Sequence, residues 1–235
     1  MKRDKMSNPK AIIAQIYNQL YQHYGPRGWW PADSQLEVIL GAILTQAVAW
    51  KNVEKAIANL KEQRVLDYHA LLELPQEKLA DLIKPALYNR QKAKKIKAVL
   101  EFIEVEYKGS LEHMFQTPLE ELRSKLLGIW GIGPETADSI LLYAGNKAIF
   151  VVDTYTIRIF SRVGLVEGNV NYTQMQDFIQ AHIVKQVEIY NEFHALLVAL
   201  GAECCRKKRP QCFKCPLKNC CQEYTWAGIG KQEVE

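Results

Sequence analysis

The stretch LGIWGIGPETADSILLYAGNKAIFVVDTYTIRIFSRVG, from Leu127 to Gly164, constrains this chain more than any other. A helix ends at Gly128, the chain turns through Gly131 and Gly133, and Pro134 suits the first position of a new helix, where its missing N–H costs nothing. Two glycines bring bare backbone close to a partner, and the new helix offers unpaired N–H groups and the positive end of its dipole. Both suit a phosphate, so this hairpin can hold a polyanion such as a DNA backbone. Eighteen residues after Glu135, behind an apolar strand-like run, comes Asp153. It precedes a helical pattern of Ile157, Ile159, Phe160 and Val163, so on the residues alone it reads as an N-cap.

The GIG turn, the Thr136-Ala137-Asp138 start of the second helix and the VVDT stretch from Val151 to Thr154, at this separation, resemble the helix-hairpin-helix DNA glycosylase superfamily, which includes endonuclease III. The resemblance implies that Gly131, Gly133 and Thr136 belong to a hairpin gripping DNA, and that Asp153 is the catalytic carboxylate. Bifunctional members carry a nucleophilic lysine where this chain has Glu135.

The 235 residues can bury one good core or two modest ones, and 48% hydrophobic with 24% charged residues is ordinary for a folded, soluble protein. The longest apolar runs, such as 139–144 and 195–202, are too short to span a bilayer, and the opening MKRDKMSNPK has charge without a following apolar region. A cytoplasmic, nucleoid-associated protein with no membrane contact is expected. Net charge is only +4, yet Lys84 to Lys97 and Cys205 to Lys218 each hold six basic residues and no acid. Such runs read either as a phosphate-binding surface, with Arg90 and Lys92 among its residues, or as solvated helix faces.

Taken in order, an amphipathic helix is expected from Ser7, with Pro9 early and Ile12, Ile13, Ile16, Leu20 and Tyr24 at helical spacing, ending at Gly25. PRGWWPADS follows and cannot be regular helix. Its adjacent Trp29 and Trp30 cannot easily both face the core, so one is free to stack or both seal a joint between domains. Ser34 and Glu37 form a capping box before the apolar helix LEVILGAILTQA, at whose end stands Gln46, and Trp50 opens the next helix. Further helices are expected near 50–62, 66–73, 75–84 and 89–107. A second capping box, Thr117 to Glu120 with Pro118 at the first helical position, starts the hairpin's first helix. Helices near 134–144, 154–163, 173–186 and 189–203 precede the cysteine tail. The fold class is all-α, built like the two-domain helix-hairpin-helix glycosylase. One domain covers 37–147 with the hairpin at about 119–145, and 1–36 packs with 148–235.

All six cysteines lie between 204 and 221, which without a secretory signal argues for metal ligation rather than disulfides. Cys205, Cys212, Cys215 and Cys221 are spaced C-x6-C-x2-C-x5-C, with only one zinc-type C-x2-C pair, so an iron–sulfur cube suits them at least as well as zinc. The spacing is also that of the [4Fe-4S] loop ending endonuclease III and its relatives, which implies such a cluster at 205–221. Cys204 and Cys220 have no ligand role in this register.

The resemblance implies base-excision chemistry on double-stranded DNA containing damaged bases, by a monomer. An enzyme acting on a base inside a duplex rotates it into a pocket, and Gln46 matches the superfamily position that fills the gap. Breaking the N-glycosidic bond builds positive charge on the sugar, which Asp153 would stabilise. Glu135 cannot form a Schiff base, so plain hydrolysis leaving an abasic site is expected. Trp29, Trp30, Pro31 and Trp50, with the GAILTQ run, resemble the 3-methyladenine DNA glycosylase III branch, where aromatics line the base pocket and an acid such as Glu135 replaces the lysine. Cation–π stacking with a methylated, cationic adenine is worth roughly 0.5 to 2 kcal/mol. Two readings compete with it: an endonuclease III-type glycosylase and lyase for oxidised pyrimidines, using an amine such as Lys147, and a non-catalytic DNA-binding module.

Overall fold

In the computed structural model the described residues are 8–167 and 169–226, so Ser7, the expected helix start, lies outside them. Every regular element among them is helical, no strand forms, and no helix is long and apolar enough to cross a membrane. The chain divides into two compact units, one of Trp30–Lys147 and one of Met1–Trp29 with Ala148–Glu235.

The unit Trp30–Lys147 is built around α2 (Gln35–Leu44), in which every residue from Leu36 to Leu44 is buried. It packs on α3 (Trp50–Glu62) and on α6 (Asn89–Tyr107), while α4 (Tyr68–Glu73) and α5 (Gln76–Leu82) lie against α6. Ser34 caps α2 by accepting from the Glu37 N–H at 3.2 Å. The expected return half of that capping box is altered. Glu37 accepts from the Asp33 N–H at 3.1 Å and pairs with Lys61 at 2.9 Å. The second expected box does not form, because α8 (Leu119–Leu127) begins one residue late, with Pro118 at its N-cap. Thr117 Oγ1 instead donates to the Tyr107 hydroxyl at 3.3 Å. A short helix not expected from sequence, α7 (Leu111–Gln116), precedes it, capped by Ser110 accepting from the His113 N–H. After α9 (Pro134–Ser139) the helix widens over Ile140–Ala144 into a π-turn, the Gly145 N–H reaching Ile140 O at 3.0 Å.

The other unit packs α1 (Pro9–Tyr24) and α10 (Thr154–Val163) on α12 (Val187–Glu203), with α11 (Tyr172–His182) against α1 and α13 (Gln222–Trp226) against α10. Ile13, Ile16, Leu20, Phe150, Phe160 and Phe193 are each at most 1% exposed, and full burial of such a side chain contributes about 1.5 to 3 kcal/mol. The strand-like run 149–152 is buried yet forms no regular element and pairs with no strand. Side chains of α11 bond the run at two residues: Gln180 Oε1 accepts from the Phe150 N–H, Gln176 Nε2 donates to Phe150 O, and the Tyr172 hydroxyl accepts from the Val152 N–H at 3.4 Å. α11 itself ends at His182 rather than 186, where Ile183 turns extended. Its start carries a full capping box of Asn171 and Gln174.

Candidate DNA-binding and catalytic sites

The hairpin follows from the glycines. α8 ends at Gly128, whose N–H reaches back to Ser124 and Lys125 carbonyls. Gly131 then sits at φ +83°, where a side chain would be strained and its Cβ would come within 2.7 Å of the Lys95 stem. Gly133 is the N-cap of α9 and Pro134 its first residue, with Glu135 exposed in the first turn. Asp138, fully buried in α9, receives Arg123 of α8 in bidentate fashion, at 2.7 Å and 3.1 Å, which ties the hairpin's two helices together.

Gln46 stands just beyond the end of α2 and is held from both sides. Its Nε2 donates to Thr136 Oγ1 at 2.8 Å and to Gly131 O at 3.4 Å, while its Oε1 accepts from Lys95 Nζ at 2.5 Å. Gln46, Gly131 and Thr136 are thus brought together, and Lys95, which sequence reasoning did not single out, joins them.

The basic run Lys84 to Lys97 does not form one surface. Lys92, expected on the DNA side, is 2% exposed and donates to Leu44 O and Ala86 O at 2.7 Å and 2.6 Å. Burial pushes its ammonium down to about 8, with Lys95 adding to the effect. Its spacing on α6 puts it on the same inner face as Ala93 and Ile96, so a run of positive charge was read where one residue serves the core. Lys97 likewise donates to Leu71 and Leu72 carbonyls. Arg90 and Lys94 remain exposed, Lys94 lying 4.3 Å over the ring of Trp130, itself 49% exposed on the hairpin.

Three of the expected pocket residues line one open cavity of about 220 Å³: Trp30, Pro31 and Trp50. Trp30 meets Trp50 edge-on at 5.2 Å and Tyr143 at 5.1 Å, and it lies so close on α2 that a Cβ at Gly41 would stand 3.0 Å from its ring. Glu54, Glu37 and Lys61 supply the cavity's charged groups. Trp29 and Glu135 are not among its lining residues. Tyr143 was hidden inside the apolar run ILLYA, where nothing marks it from its neighbours.

Asp153 is the N-cap of α10. Its Oδ1 accepts from the Thr156 N–H at 2.7 Å and from Thr156 Oγ1 at 2.8 Å. Its Oδ2 stands 3.8 Å from His194 Nε2, on the buried face of α12, with the side chains 11% and 7% exposed. Burial pushes the His194 imidazole below its ordinary value, and the charge of Asp153 opposes that shift.

Cys205, Cys212, Cys215 and Cys221 line one small pocket, together with Cys204 and Arg162. The Cys204 thiol donates to Gln211 O at 3.0 Å, and Cys220 is directed to Leu217 O and Gln19. Arg162 Nη1 donates to Cys205 Sγ at 3.4 Å and to Arg206 O at 2.8 Å. Among the described residues no three Cys, His, Asp or Glu side chains meet closely enough to hold a single metal ion. An all-cysteine donor set sharing one pocket nonetheless fits a thiolate-bound iron–sulfur group.

Residues 40–183 match the family model described as HhH-GPD superfamily base excision DNA repair protein. A protein of Methanocaldococcus jannaschii named as a DNA repair glycosylase is 45% identical over 216 residues, covering 91% of this chain and 97% of its own. Endonuclease III of Thermotoga maritima is 30% identical over 225 residues, covering 94% and 97%. Among solved structures, the H. pylori 3-methyladenine DNA glycosylase MagIII bound to 1,N6-ethenoadenine superposes with a TM-score of 0.72 at 26% identity, over 83% of this chain and 97% of that one. A non-covalent endonuclease III–DNA complex gives 0.81 at 21% identity over 95% and 100%, a likeness of fold.

Proposed function

We propose, because this chain belongs to the HhH-GPD superfamily of base excision DNA repair proteins, that it is a DNA glycosylase which removes alkylated purines by hydrolysis alone and leaves an abasic site. The observation that carries the hydrolytic reading is Glu135 in the first turn of α9. A carboxylate there cannot attack C1′ or form an imine, whereas a lysine could. As the glycosidic bond breaks, positive charge grows on the sugar, and Asp153 answers it with Oδ2 while Oδ1 stays on the helix amide. A methylated purine leaves as a neutral base from a cationic ring, so no general acid is needed.

Substrate class rests on the cavity walled by Trp30, Pro31 and Trp50, whose aromatic faces and nearby Glu54 favour a flat, cationic base. The structural neighbour MagIII holds 1,N6-ethenoadenine, a modified purine. Double-stranded DNA is the partner of a monomer acting on the nucleoid in the cytoplasm, with the hairpin at Gly131 and Gly133 on a phosphate, Gln46 filling the gap left by the rotated base and Arg90 contributing to the phosphate-binding surface. Cys205, Cys212, Cys215 and Cys221 would hold a [4Fe-4S] cluster. With the cysteines so engaged, the loop would be held in one conformation and Arg206, Lys207, Lys208, Arg209 and Lys214 would stand as a basic array for DNA. Incubation with methylated duplex and identification of the freed base tests the reading: 3-methyladenine is expected, and release of oxidised pyrimidines alone would contradict it. That second outcome is the endonuclease III-type reading, favoured by the identity with the Thermotoga enzyme.

A further inference from the structure

Asp153 has its two oxygens in different surroundings. Oδ1 is engaged twice by Thr156, whose own side chain is fully buried, so the carboxylate is anchored at one end. Oδ2 is the oxygen left for chemistry, and the group facing it at 3.8 Å is the Nε2 of His194. That distance is outside hydrogen-bond reach and inside the range where a charge on one group is felt by the other. The imidazole cannot swing away freely: it is buried on α12 and meets the Phe150 ring edge-on. Asp153 is the charged group that acts on it, and burial opposes protonation of the ring.

We propose that His194 is a positioning residue for Asp153, its uncharged, buried ring walling the carboxylate so that Oδ2 stays open to the reacting sugar, and its protonated form, in acid, binding that oxygen and taking it out of use. The proposal rests on the reading of Asp153 as the catalytic carboxylate. With a neutral ring, Oδ2 keeps its full negative charge in a place of low water content, where it stabilises a sugar cation strongly. With a protonated ring, the same oxygen is already paired and the sugar gains less. The acid side of the rate profile should therefore carry the protonation of His194.

Single-turnover base release from methylated duplex, followed from acid to neutral pH, tests this with wild type, His194→Gln and Asp153→Asn. His194→Gln should release base about tenfold or more slowly at neutral pH, with DNA affinity unchanged, and its acid limb should lose the histidine's contribution. The histidine ring signal of His194 gives a second readout that needs no change at that residue. In Asp153→Asn, loss of the anion should move its titration downward by about half a pH unit or more. A His194→Gln enzyme with wild-type rate and acid limb, or a His194 titration indifferent to Asp153→Asn, overturns the proposal. Base release that survives in Asp153→Asn would instead overturn the reading of Asp153, a result separable from either of these.

Discussion

Replacing Asp153 separates two tasks that one side chain performs. As N-cap of α10 it accepts from the Thr156 N–H and hydroxyl through Oδ1, and as a carboxylate it offers charge through Oδ2. Asp153→Asn keeps an acceptor in the capping position and loses only the charge at the helix N-terminus, a cost of about 0.3 to 1 kcal/mol. Asp153→Ala removes the cap, about 1 kcal/mol, and also strips the buried Thr156 hydroxyl of this acceptor, about 1 to 3 kcal/mol more. Urea denaturation should thus rank wild type just above the Asn variant, with the Ala variant roughly 2 to 4 kcal/mol below wild type. Single-turnover base release should fall by on the order of 100-fold or more in both, since neither carries the charge. An Asn variant as unstable as the Ala variant refutes the capping argument. An Asn variant that still releases base at the wild-type rate refutes the catalytic one.

Lys92 predicts a pH effect on stability. Its folded value is lowered from 10.5 to about 8 by burial, so between those values the unfolded chain holds a proton that the folded one has lost. Stability should therefore rise with pH across that window by up to roughly 3 kcal/mol relative to Lys92→Met, measured by denaturant titration at pH 8 and 10.5; parallel curves would contradict it. Arg123→Met removes the bidentate cation from buried Asp138 and should cost about 3 to 5 kcal/mol, with Arg123→Lys recovering part; a loss under 1 kcal/mol in thermal or urea unfolding would show that the bridge matters little. Glu135→Lys should create a borohydride-trappable adduct with damaged duplex that the wild type does not form, and failure of that adduct to appear would weaken the account of position 135.

The all-α architecture was legible because periodic apolar residues and Gly and Pro stops mark helices locally, as at Pro9, Gly25, Gly128 and Pro134. The caps were less so. Ser34 and Thr117 both open a Ser/Thr-x-x-Glu pattern, yet only Ser34 caps, and neither Glu37 nor Glu120 returns to its expected amide. Glu37 found a lysine on α3 and Thr117 a tyrosine on α6, partners that no local pattern announces. The same limit hid Lys95 beneath Gly131 and His194 opposite Asp153, meetings of elements distant in the chain, and Arg123 on Asp138, a meeting across the hairpin's turn. It also made Lys92 look like surface charge, because a run of lysines on a helix says nothing of which one turns inward. The run 149–152 reads as a strand because it is apolar, and in the fold side chains of α11 bond Phe150 and Val152 where a partner strand would have.

The most direct measurement treats wild-type protein with duplex DNA carrying 3-methyladenine, scores freed base and abasic sites, and repeats the incubation with borohydride. The account predicts free 3-methyladenine, intact strands until the abasic sites are cleaved chemically, and no covalent protein–DNA adduct. Strand nicks formed together with a trapped adduct at the rate of base release would contradict it.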